Sequence, residues 1–161
     1  MHGGFEMVAR MGPYPVMVPE FYAIASEVAT MRFLRSSGLP VPEVYDYSPS
    51  SDNAAKTEYI FMEFMRGTKL SDVWLDLEEP DIVSVLRQFA QLESRMMSIP
   101  FPAGGSLYYT SDLEKKVAVG KSIPLNDKRF CVGPDARLHM WYGRRSQLDV
   151  DRGPCTPLLF V

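Results

Sequence analysis

Histidine and cysteine are scarce in this chain, and their scarcity excludes several kinds of chemistry before any fold is considered. The 161 residues hold two histidines, His2 and His139, and two cysteines, Cys131 and Cys155. No Ser/His/Asp or Cys/His arrangement can be assembled when one of the histidines stands next to the chain start. Two distant cysteines make no disulfide framework, and neither has the CxxC or Cys/His spacing that zinc requires. An intracellular, reducing compartment is therefore expected. Excess positive charge is lacking as well. The formal net charge is −3, and the basic pair Arg144–Arg145 is followed by Asp149 and Asp151. Nucleic acid needs clustered Lys and Arg without interleaved acids, so no nucleic-acid partner is expected. No apolar run nears the roughly 20 residues of a membrane-spanning helix. The first residues have no signal-peptide core, and they set Glu6 and Glu20 against Arg10. A mitochondrial presequence is rich in arginine and poor in acids, so none is expected within this chain.

What is present suits one globular domain: 46% of the residues are hydrophobic and 23% charged, and the length allows a real core. The ten methionines fall mostly on apolar faces, where gap-filling is their ordinary use. Residues 5–11 (FEMVARM) alternate Phe5, Met7, Ala9 and Met11 with Glu6, Val8 and Arg10, which is strand periodicity. A turn is expected before them at Gly3–Gly4, and Pro13, Pro15 and Pro19 impose an extended connection after them. From 19 to 37, Phe21, Ile24, Ala25, Val28, Met31 and Leu34 recur at helical spacing, and Gly38 supplies the stop. Glu27 lies on the flank of that stripe. Strands are expected around 43–47 and 58–65, antiparallel, with turn chemistry at Asp52–Asn53. A short helix over 70–77 and a long amphipathic one over 80–97, ended by Pro100, follow. After Pro102 the periodicity fades. Paired Gly and Pro residues punctuate short apolar patches there, and 137–142 is read as a hairpin strand against 130–132.

One stretch raises a sharper question. Residues 58–74 read EYIFMEFMRGTKLSDVW, an apolar run interrupted by Glu63 and halted at Arg66–Gly67. An ordinary strand, turn and helix has this form. So does the connection between two lobes of an enzyme that holds a nucleotide.

The order of the segments carries a resemblance. FEMVAR, then SEVATMRFLRSSGLPVPEVYDY, then EYIFMEFMRGTKLSDVW, then SIPFPAGGSLYY, then FCVGPDARLHMW and SQLDVDRGPC together resemble the fungal aminoglycoside-phosphotransferase-like proteins, a protein-kinase-like family, and within it the group related to altered inheritance of mitochondria protein 9. The resemblance implies an α+β chain with an incomplete protein-kinase-like fold. A partial antiparallel N-lobe sheet with one long helix would occupy 1–66. The helical start of the C-lobe and an irregular, β-containing insert would occupy 67–161. In such enzymes a basic residue on a strand holds the nucleotide phosphates and pairs with an acid on the following helix. Arg10 and Glu27 stand at those places. Arginine where that family has lysine is a departure, because a planar fork does not replace a point charge without moving the phosphates. Met62 would stand at the back of the adenine pocket, and Glu63 and Met65 would offer backbone C=O and N–H groups to the adenine edge.

The family's activity is ATP-dependent phosphoryl transfer to a hydroxyl, with ATP and magnesium as cofactors, and the resemblance adds a mitochondrial location. Such transfer needs an aspartate to orient the nucleophile and an asparagine and second acid for magnesium. Neither His2 nor His139 opens an HGD or HRD stretch, and Ser48 and Lys121 precede Asn53 and Asn126 by five residues, so no DxxxxN exists. DFG, Walker A and GxGxxG are likewise missing. The acidic pair Asp149 and Asp151 is read as a strand end with no metal role. The expectation is a chain that stops short of the catalytic parts, assigns no catalytic residue, retains adenine-nucleotide binding at most, and exposes apolar surface that favours self-association. Phe5, Met7, Phe89 and Met96 are the expected contributors. A non-catalytic binding or interaction protein on the same scaffold is the competing class.

Overall fold

The computed structural model describes residues 5–11, 21–115 and 122–156, which form a mixed α+β structure. The turn expected at Gly3–Gly4 and the connection through Pro13, Pro15 and Pro19 lie outside the described residues. Strands β1 (Met7–Met11), β2 (Val44–Ser48) and β3 (Tyr59–Glu63) make an antiparallel sheet in the order β1-β3-β2. The central strand is YIFME, rich in the aromatic and β-branched residues that fit a pleated surface, and Ile60 is fully buried. β1 pairs with it through Val8↔Met62 and Arg10↔Ile60, and β2 through Val44↔Met62 and Tyr47↔Ile60. The loop between β2 and β3 is organised by Asn53. Its Nδ2 donates to Ser48 Oγ at 2.9 Å and Thr57 O at 2.7 Å, and its Oδ1 accepts the Ala55 amide at 2.8 Å. The turn chemistry expected at Asp52–Asn53 is thus met by the asparagine side chain.

Helix α1 (Tyr22–Ser36) follows β1 in the chain and is enclosed on two faces. Glu58 accepts the Phe21 amide at 2.8 Å, placing a carboxylate at the helix N-terminus, where the helix dipole favours it. Gly38, at φ 78°, ends it, and the left-handed backbone there is why glycine serves. Ile24 and Val28 pack with Val44 and Ile60 of the first sheet. Ala25 packs with Tyr108, Leu113 and Cys131, and Ala29 with Leu107, Leu125, Phe130 and Val132. Those partners belong to a second antiparallel sheet, ordered β4-β6-β5, of β4 (Ser106–Tyr109), β5 (Ile123–Pro124) and β6 (Phe130–Gly133). The small alanines at i and i+4 let α1 and β4 approach closely.

The part after Pro102 carries the β content expected of it, as three short strands set among turns and loops, and one expected pairing is corrected. The hairpin of 137–142 against 130–132 does not form: Leu138–Met140 is a 3₁₀ turn, as is Gly143–Gln147. The reason is that both edges of β6 are taken, one by Ser106–Tyr109 and the other by Ile123–Pro124. Pro134 then ends the strand. Its carbonyl accepts the buried Tyr108 hydroxyl at 2.7 Å.

Between the sheets in sequence lie α2 (Leu70–Val73), a 3₁₀ turn Trp74–Asp76, and α3 (Glu79–Met97). Pro80 stands in the first turn of α3, with Glu79 and Asp81 beside it, as helix starts favour. The expected apolar stripe is present, yet no residue of α3 is buried among the described residues. Arg95 Nη2 donates to Gly38 O at 2.5 Å and joins the end of α3 to the end of α1. The short helix α4 (Thr110–Leu113) continues from β4.

Candidate functional site

Strand pairing fixes the direction of Arg10. Ile60 and Met62 pack toward α1 with Ile24 and Val28, and residues directly opposite in an antiparallel ladder share a face. Arg10 is opposite Ile60 and Val8 is opposite Met62, so both project from the face that α1 covers. Glu27 is three residues after Ile24, on a neighbouring strip of the helix. The two side chains meet: Arg10 Nη1 donates to Glu27 Oε1. They are 40% and 30% exposed, so the pair is half shielded from water and still reachable at its rim. The expected facing of Arg10 and Glu27, and the pairing of FEMVAR with the strand over 58–65, both hold in the structure.

Met62 is half buried against the Ile24–Val28 cluster, at the end of the strand nearest Glu63. Glu63 closes β3. Its amide donates to Glu43 O at 2.8 Å. Met65 is 56% exposed beside Phe64, and Arg66 Nη2 donates to Glu6 Oε2 at 2.6 Å, joining the segment after β3 to the residue before β1. The side chain of Glu63 belongs to a network missed by periodicity. Its Oε2 accepts the Glu43 amide at 3.0 Å and Arg35 Nη1 at 3.3 Å, and Arg35 Nη1 also donates to Val41 O at 2.7 Å. The one signal in the sequence was that Arg35 falls in the last helical turn, where a cation suits the dipole.

A third polar contact ties the first sheet to α4. The Tyr47 hydroxyl donates to Asp112 Oδ2 at 2.5 Å. Burial pushes the Tyr47 phenol far up, and the hydrogen bond and charge of Asp112 push it further. Behind α1, Asp135 accepts from Arg137 at both oxygens, Trp141 Nε1 donates to Asp135 O at 2.6 Å, and the Arg152 guanidinium lies 4.0 Å from the Trp141 ring centre. Trp141 also stacks on Tyr22 of α1 at 5.3 Å. The hydrogen bond from Arg137 holds the Asp135 carboxyl below its usual range. This group is an anchor for the helix.

Among the described residues, no group of three or more His, Cys, Asp or Glu side chains gathers to hold a metal. Asp151 accepts the Gly153 amide at 3.0 Å, a turn contact. No helix of the described residues is long and apolar enough to cross a membrane.

Comparison with known proteins decides the family. The model of the phosphotransferase enzyme family matches residues 6–122. This chain belongs to that family. A subtelomeric hrmA-associated cluster protein of Aspergillus fumigatus is 44% identical over 153 residues, covering 94% of this chain and 29% of that protein. Altered inheritance of mitochondria protein 9, mitochondrial, of Zygosaccharomyces rouxii is 34% identical over 133 residues, 73% of this chain and 21% of that protein. The Scheffersomyces stipitis protein of the same name is 32% identical over 150 residues, 83% of this chain and 23% of that protein. The chain thus spans less than a third of the length of these relatives. No solved structure matches it. The phosphotransferase family match spans β1, α1 and the strands and helices up to α4, so Arg10, Glu27 and the β3 end all lie inside it.

Proposed function

We propose that this phosphotransferase-family chain is the nucleotide-holding part of a kinase-like scaffold and that its 161 residues do not transfer phosphate by themselves. Arg10, steadied by Glu27, takes the phosphates of an adenine nucleotide. The Glu63 carbonyl and the Met65 amide take the adenine edge, with Met62 behind it. The observation that carries the reading is the Arg10–Glu27 pair between β1 and α1, the strand-to-helix cation and acid that kinase-like folds use at the phosphates. The division into a 1–66 nucleotide lobe and a 67–161 start of a second lobe belongs to the same proposal, as does a mitochondrial location, which rests on the printed names of the relatives.

Phosphoryl transfer is carried by positioning and charge stabilisation. The chain has no DxxxxN and no HGD, so neither the acceptor hydroxyl nor a metal has its usual partners. When bound, ATP supplies the phosphoryl group and magnesium neutralises its charge. The residues of this chain supply orientation at the two ends of the nucleotide. Titration calorimetry with ATP tests the reading. Binding is expected without magnesium and should weaken on Arg10→Ala by about tenfold, the effect of losing one charge-assisted contact. Undiminished binding in that variant overturns it. ATP hydrolysis is expected at background with any hydroxyl acceptor, and magnesium-dependent turnover that disappears on Asp149→Ala and Asp151→Ala would show the acidic pair to be a working metal site.

A second reading rests on α3. Phe89 is 66% exposed and Met97 77%, and an amphipathic helix with its apolar stripe in water favours association. On that reading the scaffold is a binding or interaction protein that self-associates through α3.

A further inference from the structure

We infer that the side chains of Arg35 and Glu63 are positioning residues: they hold the adenine-edge backbone of 63–65 at a fixed distance from the Arg10–Glu27 pair, with α1 as the spacer. The inference rests on the nucleotide reading above and adds to it the device that sets the span of the site. Glu63 is bound to Glu43 twice, through its amide to Glu43 O at 2.8 Å and through its carboxylate from the Glu43 amide at 3.0 Å. Arg35 reaches the same carboxylate at 3.3 Å, the Glu43 carboxylate at 3.5 Å and Val41 O at 2.7 Å. One guanidinium therefore ties the last turn of α1 to the chain entering β2 and to the last residue of β3.

The same helix holds the phosphate-side acid about two turns earlier. Glu27 and Arg35 are separated by about 12 Å of helix at the ordinary rise per residue. A helix acts as a spacer if it can neither slide nor bend. Ile24 is 1% exposed and Ala25, Val28 and Ala29 are 0%, and they press against two different sheets. Close-packed surroundings of this kind transmit displacement instead of absorbing it. Through Glu27 in its first half and Arg35 in its last turn, α1 thus grips β1 and β3. The span between a phosphate-binding cation and an adenine-binding strand end is fixed by one rigid element.

Arg35, Glu43 and Glu63 have side chains 44%, 53% and 35% exposed. Exposed ion pairs add little to stability, so removing them leaves the fold intact and isolates the positioning role. The test measures adenosine and ATP binding by calorimetry, together with thermal unfolding, on the full chain. Arg35→Ala and Glu63→Gln are each expected to weaken both ligands about threefold to tenfold with little change in Tm. The double variant should be no worse than the stronger single, as members of one network behave. Arg10→Ala should weaken ATP and spare adenosine. Arg35→Lys, which keeps the charge and loses the fork, should fall between wild type and Arg35→Ala. If wild type binds ATP and the Arg35 and Glu63 variants bind both ligands equally well, the positioning role is wrong and the nucleotide reading stands. If wild type binds neither ligand, both fail together. Should Arg35→Ala not fold, Glu63→Gln, which keeps an acceptor for the Glu43 amide, decides the matter by the same two titrations.

Discussion

The two cysteines occupy opposite environments. Cys131 lies in β6 at 1% exposure, packed with Ala25 and Tyr108, and burial pushes its thiol above the ordinary value. Cys155 is exposed. A thiol reagent is expected to label Cys155 in the native protein and both cysteines after denaturation; rapid labelling of both in the native state would show that the second sheet opens. Asp135 allows a pH test. Its folded carboxyl is held below the ordinary aspartate value by Arg137. A depressed carboxyl contributes stability above its unfolded value, and that contribution is lost as pH falls through the folded value. Asp135→Asn is expected to cost about 1–2 kcal/mol at neutral pH and markedly less near pH 3, measured by urea unfolding at each pH. An equal cost at both would mean the charge does not matter.

At the scale of elements, α1 explains most of the architecture, because its stripe serves the first sheet and its alanines the second. The second sheet is close-fitted. A Cβ added at Gly133 would come within 2.5 Å of Leu113 Cδ2 and 2.9 Å of Tyr108 Cδ2. Gly133→Ala should therefore destabilise by about 1–3 kcal/mol, the usual cost of overpacking, read as a lower urea midpoint with unchanged slope. A neutral effect would show that β4 and α4 can shift apart. α3 is the contrast: its periodicity is as regular as that of α1, yet its apolar residues face water among the described residues.

For the whole molecule, exposed apolar surface and nucleotide binding are the properties to measure. Phe5, Met7, Phe89 and Met96, the residues expected to contribute, are 74%, 49%, 66% and 46% exposed. Leu86 at 53% and Met97 at 77% extend the α3 part of that surface. Single exposed apolar residues are ordinary, whereas a run of them along one helix is an association hazard. The chain is expected to enhance the fluorescence of a hydrophobic dye and to sediment with concentration-dependent mass, and Leu86→Glu with Phe89→Glu should reduce both. Wild type that stays monomeric at high concentration and leaves the dye dark would refute self-association.

The sequence by itself determined the elements whose signal is local. Strand alternation in FEMVARM, the apolar run of YIFME, the helical repeats of α1 and α3, Gly38 as a stop and Asn53 as a turn former were all legible, since each depends on neighbours a few residues away. The order of segments pointed to the family, and only through that resemblance were Arg10 and Glu27 expected to meet. What the tertiary structure decided depends on contacts distant in sequence. The strand at 106–109 and the pairing of 130–133 were illegible because short strands buried on both faces show no alternation, and which edges of β6 are occupied is a matter of partners up to some 27 residues away. Ala25 and Ala29 gave no hint of a second sheet, because a small residue matters for what it lets approach, and periodicity does not record the visitor. The Arg35–Glu63 contact was hidden for the same reason: two charged residues 28 apart are solvated neighbours of no one until a helix held between two sheets brings its last turn to the end of β3.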